Sequence, residues 1–351
     1  MFSHLKILDL STVLAGPAVA TFFAELGAQV LKIENKKAPD VTRSWKLKGE
    51  AEHDVSAYFS SVNFSKKYTQ IDLLNPEDYQ FLLKLVEGAD ILISNFKFGD
   101  AEKLNVSDKI LHQINPKLII GKIEGFGAAE DRVAYDLILQ AETGYMSMNG
   151  TPDSGPVKMP VALIDVLAAH QLKEGLLLAL LQRDSHPVPQ SISVSLYDAA
   201  ICSLSNQASN FLMQHKVPER MGSLHPNIAP YGELFQTADQ RTVTFAIGSE
   251  LHFEKLCTYL NKAQIFENPL YNSNQNRVVH RQSLYEELLP IIAALNATDL
   301  MEDMKKLHIP FGVIKNLKDV FEHPAALKLV REEMIENTPT KRMTQIAFKW
   351  N

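Results

Sequence analysis

Cysteine is almost absent. Cys202 and Cys257 are the only two in 351 residues. They lie far apart and form no C-x-x-C, so neither a disulfide framework nor a thiolate zinc site is expected. That usage suits a reducing, cytoplasmic compartment. Long basic runs are missing too, and the net charge is −6, which argues against nucleic acid as a partner. The opening "MFSHLKILDLS" lacks the basic and long apolar regions of a signal peptide. The most apolar stretch, "KMPVALIDVLAAHQLKEGLLLALLQR" (158–183), is broken by Asp165, His170, Lys173 and Glu174, so no membrane span is expected. None of the eleven histidines forms an H-x-x-x-H pair, so no helical metal site is expected. G-x-S-x-G and G-x-x-x-x-G-K-[ST] are both missing, which counts against an esterase elbow and a P-loop ATPase.

What is present is an ordinary globular composition, 46% hydrophobic and 22% charged, in a chain long enough for two domains. The first half alternates strand and helix. "LKILDL" (5–10), "QVLKIE" (29–34), "YTQIDL" (68–73), "DILISN" (90–95) and "KLIIGKIEGFG" (117–127) read as strands. "GPAVATFFAELGA" (16–28), "PEDYQFLLKLVEG" (76–88) and "SDKILHQIN" (107–115) read as helices. Asn75 caps the second of these helices, with Pro76 at its first position. "QSISVSLYDAAICSLSNQASNFLMQ" (190–214) reads as a strand running into a helix. The natural packing is an α/β fold with a Rossmann-like, mostly parallel sheet and helices on both faces. Past Gln214 the pattern changes. "HKVPERMGSLHPNIAPYGELF" (215–235) is rich in Pro and Gly. An alternating strand (242–248) and helical stretches near 250–261, 281–295 and 298–307 then suggest a smaller α+β domain. The expected division is 1–214 for the large domain, 215–308 for the small domain with its linkers, and 309–351 for a return to the large domain.

An opening βαβ unit invites a dinucleotide-binding reading. Its fingerprint needs G-x-G-x-x-G after the first strand. Here that turn is "STVLAGPA", with one glycine followed by proline. Glu34 stands where a ribose-binding acid would sit, but it reads equally as a polar strand end. Asp165 is the other conspicuous acid, a carboxylate among aliphatic residues in "VALIDVLAA". Leu167, Leu172, Leu176, Leu177 and Leu180 fall near one helical face from Val166 onward. By itself, Asp165 reads as the N-cap of that helix.

Eight stretches, taken together and in order, resemble the class III CoA-transferase family, which includes formyl-CoA transferase, carnitine CoA-transferase and α-methylacyl-CoA racemase. They are "LDLSTVLAGPAVATFFAELGAQVLKIE" (8–34), "DVTRSW" (40–45), "VNFSKK…IDL" (62–73), "ADILISNFKFG" (89–99), "NPKLIIGKIEGFG" (115–127), "YDLILQAETGYMSMNG" (135–150), "IAPYGELFQTAD" (228–239) and "IPFGVIKNLKDV" (309–320). The resemblance implies an acyl-CoA:carboxylate CoA-transferase. It would work through mixed-anhydride and aspartyl-CoA thioester intermediates on Asp165, which holds the position of the family's nucleophile. It also implies an interlocked homodimer and no cofactor beyond coenzyme A as co-substrate. The partners would be an acyl-CoA donor and a carboxylic acid acceptor.

Carried over by position, the implied CoA site is Leu14 and Ala15 on the first turn, Ile71 and Leu74 as walls for the adenine, and Asn95, Phe96 and Lys97 after a strand end. Lys103 would meet a phosphate, and Arg132 and Tyr135 would flank the acyl end. Each lysine reads equally as a solvated surface charge. Tyr135 stands where the racemase has histidine, which favours transfer over α-proton exchange. Asn35 replaces a family arginine, and Leu14 a glutamine of formyl-CoA transferase. Other expectations stay open. One is an acyl-CoA racemase or epimerase. Another is a non-catalytic CoA-binding protein or partner subunit, suggested by a chain that closes soon after "MTQIAFKW" (343–350); the glycine-rich lid that the resemblance implies is meagre, with only Gly222 in "RMGSLHP". A nicotinamide-dependent dehydrogenase is the last.

Overall fold

The computed structural model describes residues 1–52, 54–127, 130–183, 185 and 188–349. The last residue of the 343–350 segment, Trp350, lies outside them. The chain forms two compact units. One is built from Met1–Met146, Lys158–Pro218 and Leu327–Asn351, the other from Ser147–Val157 and Glu219–Ala326.

The first unit is organised by six strands: β1 (Lys6–Asp9), β2 (Gln29–Asn35), β3 (Lys66–Ile71), β4 (Ile91–Ser94), β5 (Ile119–Glu124) and β6 (Gln190–Ser195). Their order is β3-β2-β1-β4-β5-β6, and every pairing is parallel. Parallel strands covered on both faces must be apolar on both, because successive side chains point to opposite sides. Ile7, Ile91 and Ile93 pack with the helices Ala15–Glu25 and Leu163–Gln182. Leu8 and Leu92 pack on the other face with Leu82 and Val86 of Pro76–Glu87 and Leu111 of Asp108–Ile114. The expected cap holds: the Asn75 side chain accepts the N–H groups of Glu77 and Asp78 at 2.9 and 3.2 Å.

A hairpin that the sequence reading did not anticipate completes this unit. β10 (Val330–Ile335) and β11 (Thr338–Met343) are antiparallel, joined by Glu336 and Asn337, with φ of 47° and 67°. Two central residues with positive φ define the tightest hairpin turn, and asparagine there was the available signal. The second unit has its own sheet, β7 (Tyr231–Gln236), β8 (Thr242–Ala246) and β9 (Phe311–Val313), antiparallel throughout. Its core includes Phe235, Phe253, Leu256, Leu288 and Leu300. β9, read from sequence as the start of the return at 309, thus pairs within this small sheet. Among the described residues no helix is long and apolar enough to cross a membrane.

One local expectation fails. The long helix begins at Leu163, with Ala162 at the cap position and no side-chain cap on it. Asp165 is therefore its third residue and not its N-cap. The first turn is capped from elsewhere, as Asp136 Oδ1 accepts the Ile164 N–H at 2.8 Å.

Candidate active site

The strand order reverses between β1 and β4, and open α/β sheets bind ligands at such a switch point, outside the carboxyl ends of the strands. Here it holds a cleft of about 850 Å³ within the first unit. Asn95, just past β4, bridges the switch. Its Oδ1 accepts the Thr12 N–H and its Nδ2 donates to the Thr12 carbonyl, both at 2.9 Å. Thr12, Val13, Asn95, Phe96, Lys97, Arg132 and Tyr135 all line the cleft. The sequence reading named five of these seven. Val13 and Thr12, from the turn after β1, it passed over.

Other named residues stand outside this lining. Leu14 takes the N-cap position of Ala15–Glu25 without a side-chain bond, and Ala15 is buried at its first position. Ile71 packs in the core with Leu82 and Val86. Leu74 is exposed. Lys103 is committed to Asp100 at 3.2 Å, with most of its side chain in solvent. Arg132, which does line the cleft, lies 3.8 Å over the Phe126 ring and pairs with Glu142 at 2.7 Å. In the second unit, the Gly222 N–H donates to Gly150 O at 2.8 Å.

Asp165 does not line the cleft itself. It is joined to it through the chain at Tyr135 and Asp136, where Tyr135 is the N-cap of the helix Asp136–Glu142. Asp136 accepts from Ile164 with one oxygen and from Gln140 Nε2 with the other, at 2.6 Å. Gln140 in turn accepts the Met159 N–H at 2.7 Å. These bonds hold the segment that leads into the Asp165 helix. The sequence reading did not single out Asp136.

Asp165 is 8% exposed, and its carboxylate makes no hydrogen bond among the described residues. A helix N-terminus favours the ionised form. Burial outweighs that, and with the Asp136 carboxylate it raises the Asp165 pKa to about 7. A buried polar group without a partner is costly. Strongly perturbed groups beside a cleft are where chemistry concentrates.

Tyr58 faces the same acids. Burial first, then Asp165, Asp136 and Asp40, push its phenol up to about 12, so it remains a hydroxyl donor. Its ring meets Trp45 edge-on at 5.1 Å, and Trp45 lies 6.4 Å from the Tyr135 ring. This aromatic chain runs from the cleft wall to the surroundings of Asp165. Trp45 lies in the quoted "DVTRSW", but only the tertiary structure shows what it touches.

Among the described residues, no cluster of three or more His, Cys, Asp or Glu could hold a metal ion. Comparison with known proteins agrees with the geometry. The family model described as CoA-transferase family III matches residues 2–351. The chain is 32% identical over 329 residues to a succinate–glutarate CoA-transferase of Agrobacterium fabrum, covering 92% of this chain and 82% of that one. It is 31% identical to a succinyl-CoA:glutarate CoA-transferase of Mus musculus, covering 92% of this chain and 74% of that one. A CAIB/BAIF family protein from Brucella suis superposes with a TM-score of 0.82 at 31% identity, over 99% of this chain and 91% of that one. The chain belongs to CoA-transferase family III.

Proposed function

We propose that this protein transfers CoA from an acyl-CoA to a free carboxylate, with Asp165 as the nucleophile. The observation that carries this reading is the Asp165 carboxylate: buried, without a hydrogen bond, and joined to the cleft by Tyr135 and Asp136. An Asp165 oxygen attacks the thioester carbonyl carbon. The C–S bond breaks, leaving a mixed anhydride and the CoA thiolate. The thiolate then attacks the aspartyl carbonyl, the donor departs as its carboxylate, and an aspartyl-CoA thioester remains. The acceptor carboxylate attacks that thioester, forming a second anhydride and freeing the thiolate. Thiolate attack on the acceptor's carbonyl completes the new acyl-CoA and returns Asp165. Covalent catalysis thus divides one difficult exchange into easier steps. A carboxylate with a raised pKa is the stronger nucleophile once ionised, and the protonated Tyr58 is a donor for developing oxyanion charge.

The CoA moiety lies along Thr12, Val13, Asn95, Phe96 and Lys97, with Leu14, Ala15, Ile71, Leu74 and Lys103 as the further family positions. Arg132 and Tyr135 stand at the acyl end. From the activities in the names of its relatives, the substrates are taken to be dicarboxylates, with succinyl-CoA as donor and glutarate as acceptor; the homodimer is what the family resemblance implies. The test is intact-mass analysis after incubation with succinyl-CoA and brief hydroxylamine treatment. A hydroxamate on Asp165, lost in Asp165→Ala, is expected. No modification with any acyl-CoA, while CoA still binds, would sink the covalent route. Exchange of the α-proton without CoA movement would move the protein to the racemases.

The pH dependence follows from the same carboxylate. Attack needs the ionised form, so kcat/KM falls as pH drops below about 7, tenfold per unit at the limit. Asp136→Asn removes a neighbouring charge but keeps an acceptor for the Ile164 N–H. Its acidic limb should therefore move to lower pH. A limb that stays in place would show that the Asp136 charge does not act on Asp165.

A further inference from the structure

We infer that Asp40 is a positioning residue for CoA transfer, because it holds the Val13 N–H and so keeps the left-handed turn that walls the cleft. Its functional meaning rests on the transferase reading above. Val13 has φ of 72°, which for a β-branched residue is a strained conformation. Such strain persists only where the surroundings over-determine it.

At this turn they do. The Val13 N–H lies 3.3 and 3.2 Å from the two Asp40 oxygens. Asn95 grips Thr12 on both backbone groups, and Lys32 Nζ donates to Ser11 O at 2.6 Å. Gly16 packs so close that a Cβ there would stand 2.3 Å from that of Ser11.

Asp40 is itself 2% exposed. It pairs with Lys32 at 3.3 Å and accepts from the Thr42 N–H and hydroxyl at 3.1 and 2.7 Å. Its own N–H donates to Glu34 Oε1 at 2.9 Å, and Glu34 takes the fork of Arg43, with its shortest contact at 2.7 Å. The Glu34 that a dinucleotide reading would place on a ribose is thus spent on this brace. Asp40 does not line the cleft, whereas Val13 does. It therefore acts through Val13. A right-handed Val13 would turn the peptide that leads into Leu14, and the cleft wall with it.

The test compares wild type, Asp40→Ala, Asp40→Asn, Val13→Gly and Val13→Gly/Asp40→Ala for CoA affinity and for succinyl-CoA:glutarate turnover. Asp40→Ala should raise KM and the CoA dissociation constant about tenfold, with a smaller fall in kcat. Asp40→Asn, which keeps an acceptor, should lose less. Adding Val13→Gly to Asp40→Ala should recover most of the affinity, since glycine takes positive φ without a brace. A double variant no better than Asp40→Ala overturns the inference. So does an Asp40→Ala that melts earlier at an unchanged KM, which is a merely structural role. Should Asp40→Ala not fold, Asp40→Leu/Lys32→Met takes its place, because it strands no buried ammonium. A wild type that binds no CoA overturns the transferase reading, and the brace is then judged by melting. In that case Val13→Gly must raise the melting temperature of Asp40→Ala by several degrees more than that of wild type.

Discussion

Asp165→Asn loses CoA transfer, with kcat/KM lower by about a thousandfold or more, and becomes the more stable protein at pH 8. Both effects come from one carboxylate. Asparagine has the same shape but no nucleophilic oxygen anion, so neither anhydride nor thioester can form. The stability effect follows from the pKa. In the unfolded chain the Asp165 carboxyl titrates at its ordinary value of 3.8, and in the folded protein at about 7. Between these values the folded state keeps a proton that the unfolded state has released. Stability therefore falls as pH rises through that window and levels off above it. Each unit of separation is worth about 1.4 kcal/mol, so ionising Asp165 costs a few kcal/mol by pH 8. The variant has nothing to ionise. Its melting temperature should match wild type near pH 4 and exceed it by several degrees at pH 8. Calorimetry at the two pH values, beside a turnover assay, measures both. Wild-type turnover in the variant would remove Asp165 from the mechanism. A variant less stable at pH 8 would mean that the buried carboxylate is not under strain.

Lys66→Met destabilises the large unit by about 3–5 kcal/mol, read as a lower urea midpoint. Lys66 and Asp9 are fully buried and paired at 2.7 Å. The ammonium also donates to Pro17 O, Val62 O and Asn63 Oδ1 at 2.9, 3.0 and 2.9 Å. Burial alone would raise the Asp9 pKa, but Lys66 and Lys32 more than offset it and hold the carboxyl below its ordinary value. Taking the ammonium away strands the buried Asp9 carboxylate and removes the bonds that Lys66 makes to Pro17 O and Asn63 Oδ1, and stranding the anion is the expensive part. A second substitution, Asp9→Leu, should recover much of the loss, since an apolar pair of similar volume leaves no charge behind. If Lys66→Met alone keeps the wild-type midpoint, the network is ornamental. The network lies directly under the turn that carries Ser11, Thr12 and Val13, so CoA affinity should fall with stability.

The class of fold was legible in the amino-acid sequence alone. The runs "LKILDL", "QVLKIE" and "DILISN", short, rich in aliphatic residues and separated by helical periods, pack best as a parallel sheet covered on both sides. The cap at Asn75-Pro76 was legible because it depends on neighbours within a few residues. Of the residues named from the family resemblance, Asn95, Phe96, Lys97, Arg132 and Tyr135 line one cleft, whereas Leu14, Ala15, Ile71, Leu74 and Lys103 are not among its lining. The β10–β11 hairpin was missed because Pro339 and the charged run around it mask the strand pattern.

Where the charged groups go is settled only once the chain has folded. Asp165 reads as a cap until the fold shows Asp136, 28 residues before Ile164, doing part of that work. Asp9 meets Lys66 across 57 residues, Val13 meets Asp40 across 27, and Thr12 meets Asn95 across 83. Periodicity and capping are short-range, set by backbone geometry over one or two turns. The ionisation of a buried carboxylate, or the strain of a left-handed valine, depends on which distant groups the folded chain brings within about 3 Å. No local pattern encodes that.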